Sequence, residues 1–92
     1  MLNGKIDELA INKTSTYESD KNGIDYIFHL RNATAHGNFT FSSIEGRSCV
    51  TYYDKRKENE EAIFSLYTFD VGEILTDIQK LILSYFEKTY NP

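Results

Sequence analysis

Five residues between positions 25 and 36 carry the side chains best suited to chemistry: Asp25, His29, Arg31, Asn32 and His36. On a helix, Asp25, His29, Asn32 and His36 follow i, i+4, i+7, i+11 spacing and share one face, with Arg31 beside it. Histidine moves protons near neutrality because its unperturbed pKa is about 6.5. Arginine offers a permanently charged planar fork that binds an oxyanion through two bonds at once. His29 and His36 would stand about 10.5 Å apart along the axis, too far to ligate one metal ion. His29 lies one turn from Asp25 and is expected to hydrogen-bond it, either as a structural pair or as part of a cleft lining. Arg31 and His36 point about 140° apart around a helix, so they converge on one group only if the helix frays near Gly37 or a second copy approaches. Structural roles remain open for the same residues. Arg31 could pair with a carboxylate across a helix interface, His36 could answer the helix dipole, and Asn32 could bond within the core.

Several elements must position this stripe. Residues 3–12 read as a short helix with Ile6, Leu9 and Ala10 on one face, and the polar stretch 13–22 reads as a loop. The next helix is expected over about 22–36, capped by Asp20 or Asn22 and closed by Gly37 in a left-handed C′ position. Ile24, Tyr26, Ile27, Phe28, Leu30, Ala33 and Ala35 wrap most of its circumference, which marks a central helix. Beyond Gly37 the period changes to alternation: Phe39–Ser42, Val50–Tyr52 and Ile63–Thr68 read as strands, with turns at Glu45-Gly46 and over 54–61. From about 71 to 89, Val71, Ile74, Leu75, Ile78, Leu81, Ile82, Tyr85 and Phe86 form a wide apolar helical face. Asp70 with Glu73 fits a capping box there, and Phe69 with Ile74 a hydrophobic staple.

Composition narrows the classes. Ninety-two residues make one domain, and 40% hydrophobic content with seven Tyr and six Phe is enough for a packed core. A net charge of −4 gives no global attraction to polyanions, so any nucleic-acid contact must be local. The one basic run, Lys55-Arg56-Lys57, is followed at once by Glu58, Glu60 and Glu61 and is expected to be a solvated turn. Lone Cys49 cannot form an internal disulfide and is expected to be buried and inert. The sequons at Asn12, Asn32 and Asn38 would matter only in a secreted protein. The first residues lack the basic start and apolar run of a signal peptide, no stretch is apolar enough to span a membrane, and a cytoplasmic location is expected. Tyr52 and Tyr53 beside the basic run could stack on bases, though core roles suit them better.

The string Phe28-His29-Leu30-Arg31-Asn32-Ala33-Thr34-Ala35-His36-Gly37 resembles the motif of the HEPN superfamily (higher eukaryotes and prokaryotes nucleotide-binding domains). It shows Arg-x4-His closing a helix, a polar residue directly after the Arg, and Ala-His-Gly at the end. The order of helix, motif, strands and helix is similar to small HEPN nucleases of plasmids, phages and bacterial defence loci over about residues 22–90. The resemblance implies a single HEPN-like domain over 1–92. Its expected fold is mainly α: a helical bundle with a short antiparallel β-meander between the motif helix and the last helix. The stretch before the motif helix is short for the first hairpin of such a bundle.

The resemblance also implies function. Active members cut RNA without metal or cofactor, as homodimers whose two motifs face one cleft. Arg31, Asn32 and His36 are the implied catalytic residues, with His29 and Asp25 on the substrate side. A toxin or phage-defence role is implied, with a nucleotidyltransferase-like antitoxin as an expected partner. The chemistry suits the residues. Attack of a 2′-hydroxyl on the adjacent phosphorus needs a proton removed, a phosphorane stabilised and the 5′-oxygen protonated, which His and Arg can do. Two rival readings stand beside it: a non-catalytic HEPN module that binds a nucleotide or RNA, and a dimeric interaction module whose polar stripe bonds across an interface.

Overall fold

The computed structural model describes the backbone of residues 2–90 and the side chains of residues 2–77, 79 and 80. Helix α1 (Leu2–Leu9) leads into strand β1 (Ile11–Ser15), and a single 3-10 turn follows at Glu18–Asp20. The motif helix α2 spans Tyr26–Ala35. Strands β2 (Phe39–Ile44), β3 (Arg47–Lys57) and β4 (Glu60–Tyr67) come next, and helix α3 (Thr68–Tyr90) closes the chain. The four strands form one antiparallel sheet in the order β1-β4-β3-β2.

This α+β architecture replaces the expected mainly α bundle with a β insertion. The sheet is a full layer, and the helices pack against it. The reason lies in the alternation. Val50 and Tyr52 on β3 and Phe64 and Leu66 on β4 are buried in one cluster with Ile6 and Ala10 near α1, Tyr26, Leu30 and Ala33 of α2, and Ile74 of α3. Large side chains at every second strand position make a face that only helices laid across it can cover. The fourth strand comes from Ile11–Ser15, read as the end of a helix and the start of a loop. Its polar residues suit an edge position with little burial. The stretch 54–61 is also not one turn: β3 runs to Lys57 and β4 starts at Glu60.

Local chemistry explains the boundaries. Asp25, not Asp20 or Asn22, caps α2; its Oδ1 accepts from the Phe28 amide at 3.3 Å. Asn3 braces this end, donating to Asp25 and accepting from the Ile27 amide. At the other end Gly37 takes φ 68°. The Gly37 amide donates to the Thr34 carbonyl and the Asn38 amide to the Ala33 carbonyl at 2.8 Å, which is a Schellman closure. His36 is thereby the C-cap residue, turned out of the regular helix. Glu45 and Gly46 both take positive φ, as a two-residue hairpin between β2 and β3 requires. Helix α3 starts at Thr68, so Asp70 lies inside its first turn, and Phe69 is 81% exposed instead of stapled to Ile74. The expected apolar positions Ile78, Leu81, Ile82, Tyr85 and Phe86 lie outside the described side chains. Among the described residues no helix is long and apolar enough to cross a membrane.

Because the Schellman closure aims His36, Gly37→Ala is expected to cost about 1–2 kcal/mol through the left-handed backbone alone. Urea denaturation of the two chains checks it, and equal midpoints would contradict the assigned closure.

Candidate functional site

The polar stripe of α2 meets β3. Val50 and Tyr52 point from β3 into the core, and Asp54, two residues further along, points the same way with no apolar partner to face. Opposite it stands His29, fully buried. His29 Nδ1 lies 2.7 Å from Asp54 Oδ2, and His29 Nε2 lies 2.6 Å from Asp20 Oδ2. One imidazole thus bridges two buried carboxylates from two other segments. The partners of His29 are therefore Asp20 and Asp54; Asp25, one turn away on the same helix, is occupied as the cap.

Every member of this bridge is further tied. Asp20 Oδ2 accepts from the Ser15 hydroxyl at 2.5 Å and Asp20 Oδ1 from the Asp25 amide at 3.1 Å. Asp54 Oδ2 accepts from Asn32 Nδ2 at 3.3 Å. Burial pushes the Asp20 carboxyl up, but bonds from Ser15, His29 and the Asp25 amide outweigh it and hold the pKa below the ordinary carboxylate value. The ring of Tyr17 packs on the imidazole at 4.5 Å between centroids. Burial, reinforced by the Asp54 carboxylate, pushes the Tyr17 phenol up to about 12, so it stays protonated across the physiological range.

Directly beside this bridge opens a polar cleft of about 370 Å³, lined by Tyr17, Asn32, His36, Asn38, Asp54, Lys55 and Arg56. Two of the residues singled out in the sequence, Asn32 and His36, meet here: Asn32 half-buried and fixed to Asp54, His36 exposed at the helix end. Arg31 is exposed and does not line this cleft, and among the described residues it makes no ion pair. His29 is sealed beneath the cleft wall, and Asp25 serves the helix cap. Tyr17 and Asp54 were not singled out, and Asp20, Asn38, Lys55 and Arg56 were read as a helix cap, a sequon and a solvated turn and not as site residues. The inward row Val50, Tyr52, Asp54 is the one sequence signal that could have found Asp54. Tyr52 is buried in the core, and Cys49 is buried beside the Ser42 hydroxyl at 3.2 Å. Among the described residues no group of three or more His, Cys, Asp and Glu is placed to hold a metal ion.

The bridge makes two expected outcomes measurable. Removing the imidazole leaves two buried carboxylates facing a void, so His29→Ala is expected to cost about 3–5 kcal/mol in urea denaturation at neutral pH. The folded-state pKa of Asp20 is depressed, so its contribution is present above the unfolded value near 4 and is lost as pH falls through the folded value. The acid limb of a stability–pH curve is therefore expected to flatten in Asp20→Asn; an unchanged limb would contradict the bonding described.

Comparison with known proteins adds the family. No curated protein and no solved structure matches the chain. A family model described as HEPN pEK499 p136 matches residues 2–89, which takes in α1, the whole sheet and most of α3. With Arg31-Asn32 and His36 closing the helix that borders the cleft, the chain belongs to this HEPN family.

Proposed function

We propose that this HEPN protein is a metal-independent endoribonuclease whose reaction centre is built on the cleft of His36. The observation that carries the proposal is the meeting of His36 and Asn32 in one open polar cleft, on a chain of HEPN type. His36 sits at the end of the helix, solvent-accessible and free to approach a substrate. In the reaction the O2′–P bond forms and the P–O5′ bond breaks. The proton lost at O2′ is matched by one gained at O5′, and histidine performs these transfers. Asn32, locked by Asp54, positions the sugar-phosphate chain at the wall.

Arg31 supports a two-protomer version of this site. Its guanidinium stands outside the cleft of its own chain, exposed and unpaired among the described residues. In a two-fold homodimer each Arg31 would serve the His36 cleft of the other copy, where its planar fork stabilises the phosphorane. A toxin or defence role, with a nucleotidyltransferase-like antitoxin, belongs to the same proposal. The specific rival is an RNA- or nucleotide-binding HEPN module without catalysis.

The test is cleavage of a labelled structured RNA in excess EDTA. Wild type is expected to leave 2′,3′-cyclic phosphate ends. His36→Ala and Arg31→Ala are each expected to lose about a hundredfold or more in rate. Binding without cleavage by all three would move the assignment to the binding module.

A further inference from the structure

The basic run Lys55-Arg56-Lys57 does not behave as a solvated turn. In the β3–β4 ladder Lys55 pairs with Glu61 and Lys57 with Glu60, so Arg56 is an extra residue without a partner, a β-bulge. In a regular strand Lys55 and Arg56 would point to opposite faces of the sheet. Here both line the cleft of His36. The bulge turns two successive cations toward one space.

The Arg56 guanidinium is also fixed in place. Its Nε and Nη2 are held by the Glu60 carboxylate at 2.9–3.2 Å, which leaves Nη1 with two unused N–H groups. Glu60 itself is buried, so the clamp is anchored to the fold and not to a mobile surface side chain. Arg56 lies over the Tyr17 ring at 5.7 Å. Lys55 makes no ion pair among the described residues. Tyr17 adds the observation that points to a ligand. It is 3% exposed, it lines this cleft, and its hydroxyl is buried without a well-formed hydrogen bond among the described residues, its one neighbouring acceptor being the Asp54 carboxylate that pushes its pKa up. A buried hydroxyl left without a well-formed bond is costly unless something in the cleft completes it.

One acidic side chain, Asp54, lines the same space, and Glu60 lies behind Arg56. Asp54 Oδ2 is met by His29 and Asn32, and Glu60 by Arg56 and Lys57. What remains on the open side is donor-rich, Nη1 of Arg56 and the Lys55 ammonium, with the buried Tyr17 hydroxyl in the wall beneath them. These are the groups that bind a tetrahedral oxyanion.

We propose that Tyr17, Lys55 and the bulged Arg56 form a phosphate subsite that holds one phosphodiester of a single-stranded RNA against the His36 cleft of the same chain. The choice of RNA as the source of that phosphate rests on the nuclease reading; the subsite itself does not. It assigns binding to β3 and leaves the proton chemistry with α2. Loss of subsite groups therefore acts on KM, whereas loss of His36 acts on kcat.

The experiment measures anisotropy of a fluorescent single-stranded RNA carrying 2′-O-methyl groups, which cannot attack, across a salt series. It is paired with the kinetics of cleavage of the unmodified RNA. Tyr17→Phe and Lys55→Gln are expected to weaken binding and raise KM roughly tenfold each with kcat little changed. Lys55→Gln is also expected to reduce the slope of log K against log salt by about 0.7. Lys80→Gln removes the same charge from α3, outside the lining of the cleft, and serves as the control, with wild-type values expected. Tyr17→Phe keeps the buried ring and removes one hydroxyl, so folding does not limit the test. If wild type cuts RNA and all three variants bind and cleave alike, the subsite is overturned while the nuclease stands. If wild type binds the methylated RNA through Tyr17 and Lys55 but cuts nothing, the subsite stands and the nuclease reading falls. If wild type does not bind the RNA, inorganic phosphate titrated against the NMR signals of Tyr17 and Arg56 decides. Shifts lost in Tyr17→Phe keep a free-phosphate site, and no shifts overturn the subsite altogether.

Discussion

The architecture depends on one buried contact, the imidazole of His29 held between the carboxylates of Asp20 and Asp54. It joins three segments that share little else at this end of the molecule: the 3-10 turn before α2, α2 itself, and the far half of β3. On β3 the apolar core ends at Tyr52, and at Asp54 polar side chains take over the packing. Either carboxylate buried alone would cost several kcal/mol, and the two together would repel. With the ring between them, both carboxylates and both ring nitrogens are bonded, and Ser15, Asn32 and the Asp25 amide satisfy further acceptor sites. A hydrogen-bonded polar network of this kind fixes one relative placement of helix and strand, where a purely apolar contact would tolerate several.

That placement sets the site. Asp54 is the last inward residue of β3 before the bulge, and it holds Asn32 by the same oxygen that meets His29. Docking Asp54 on α2 brings the next residues, Lys55 and Arg56, beside the C-terminus of the helix, where the Schellman closure at Gly37 presents His36. The arrangement keeps two jobs apart. The bridge is sealed from water and structural, while the cleft beside it is open and carries exposed donors. The histidine that looks most like a charge-relay member, His29, is the one a substrate cannot reach.

The sequence was informative where chemistry is local and silent where it is tertiary. Gly37, the Glu45-Gly46 turn, the strand cores and the long last helix follow from turn chemistry and periodicity, which need no knowledge of partners. The motif at Arg31-Asn32 and His36 pointed to the family that the comparison then showed. The bundle expectation came from the family resemblance and failed because the alternation in β2, β3 and β4 builds a full sheet layer, to which a fourth strand adds. Ile11–Ser15 is a polar edge strand with no alternation to read, and only pairing with β4 makes it one. Asp20 and Asp54 were invisible as a pair because charged residues in polar stretches look solvated; their burial depends on His29, distant in sequence from both. Lys55-Arg56-Lys57 read as a turn for the same reason, since a bulge leaves no mark in composition.

The proposed function rests on a division of labour between copies, in which His36 would act in its own cleft and Arg31, outside it, in the cleft of a second chain. Co-expression of Arg31→Ala with His36→Ala chains tests this most directly. A heterodimer of the two then has one cleft with both residues intact and one with neither. The account predicts recovery of cleavage to about a quarter of the wild-type rate in a statistical mixture, from two chains that are each inactive alone. Mixed dimers as inactive as either parent would contradict it.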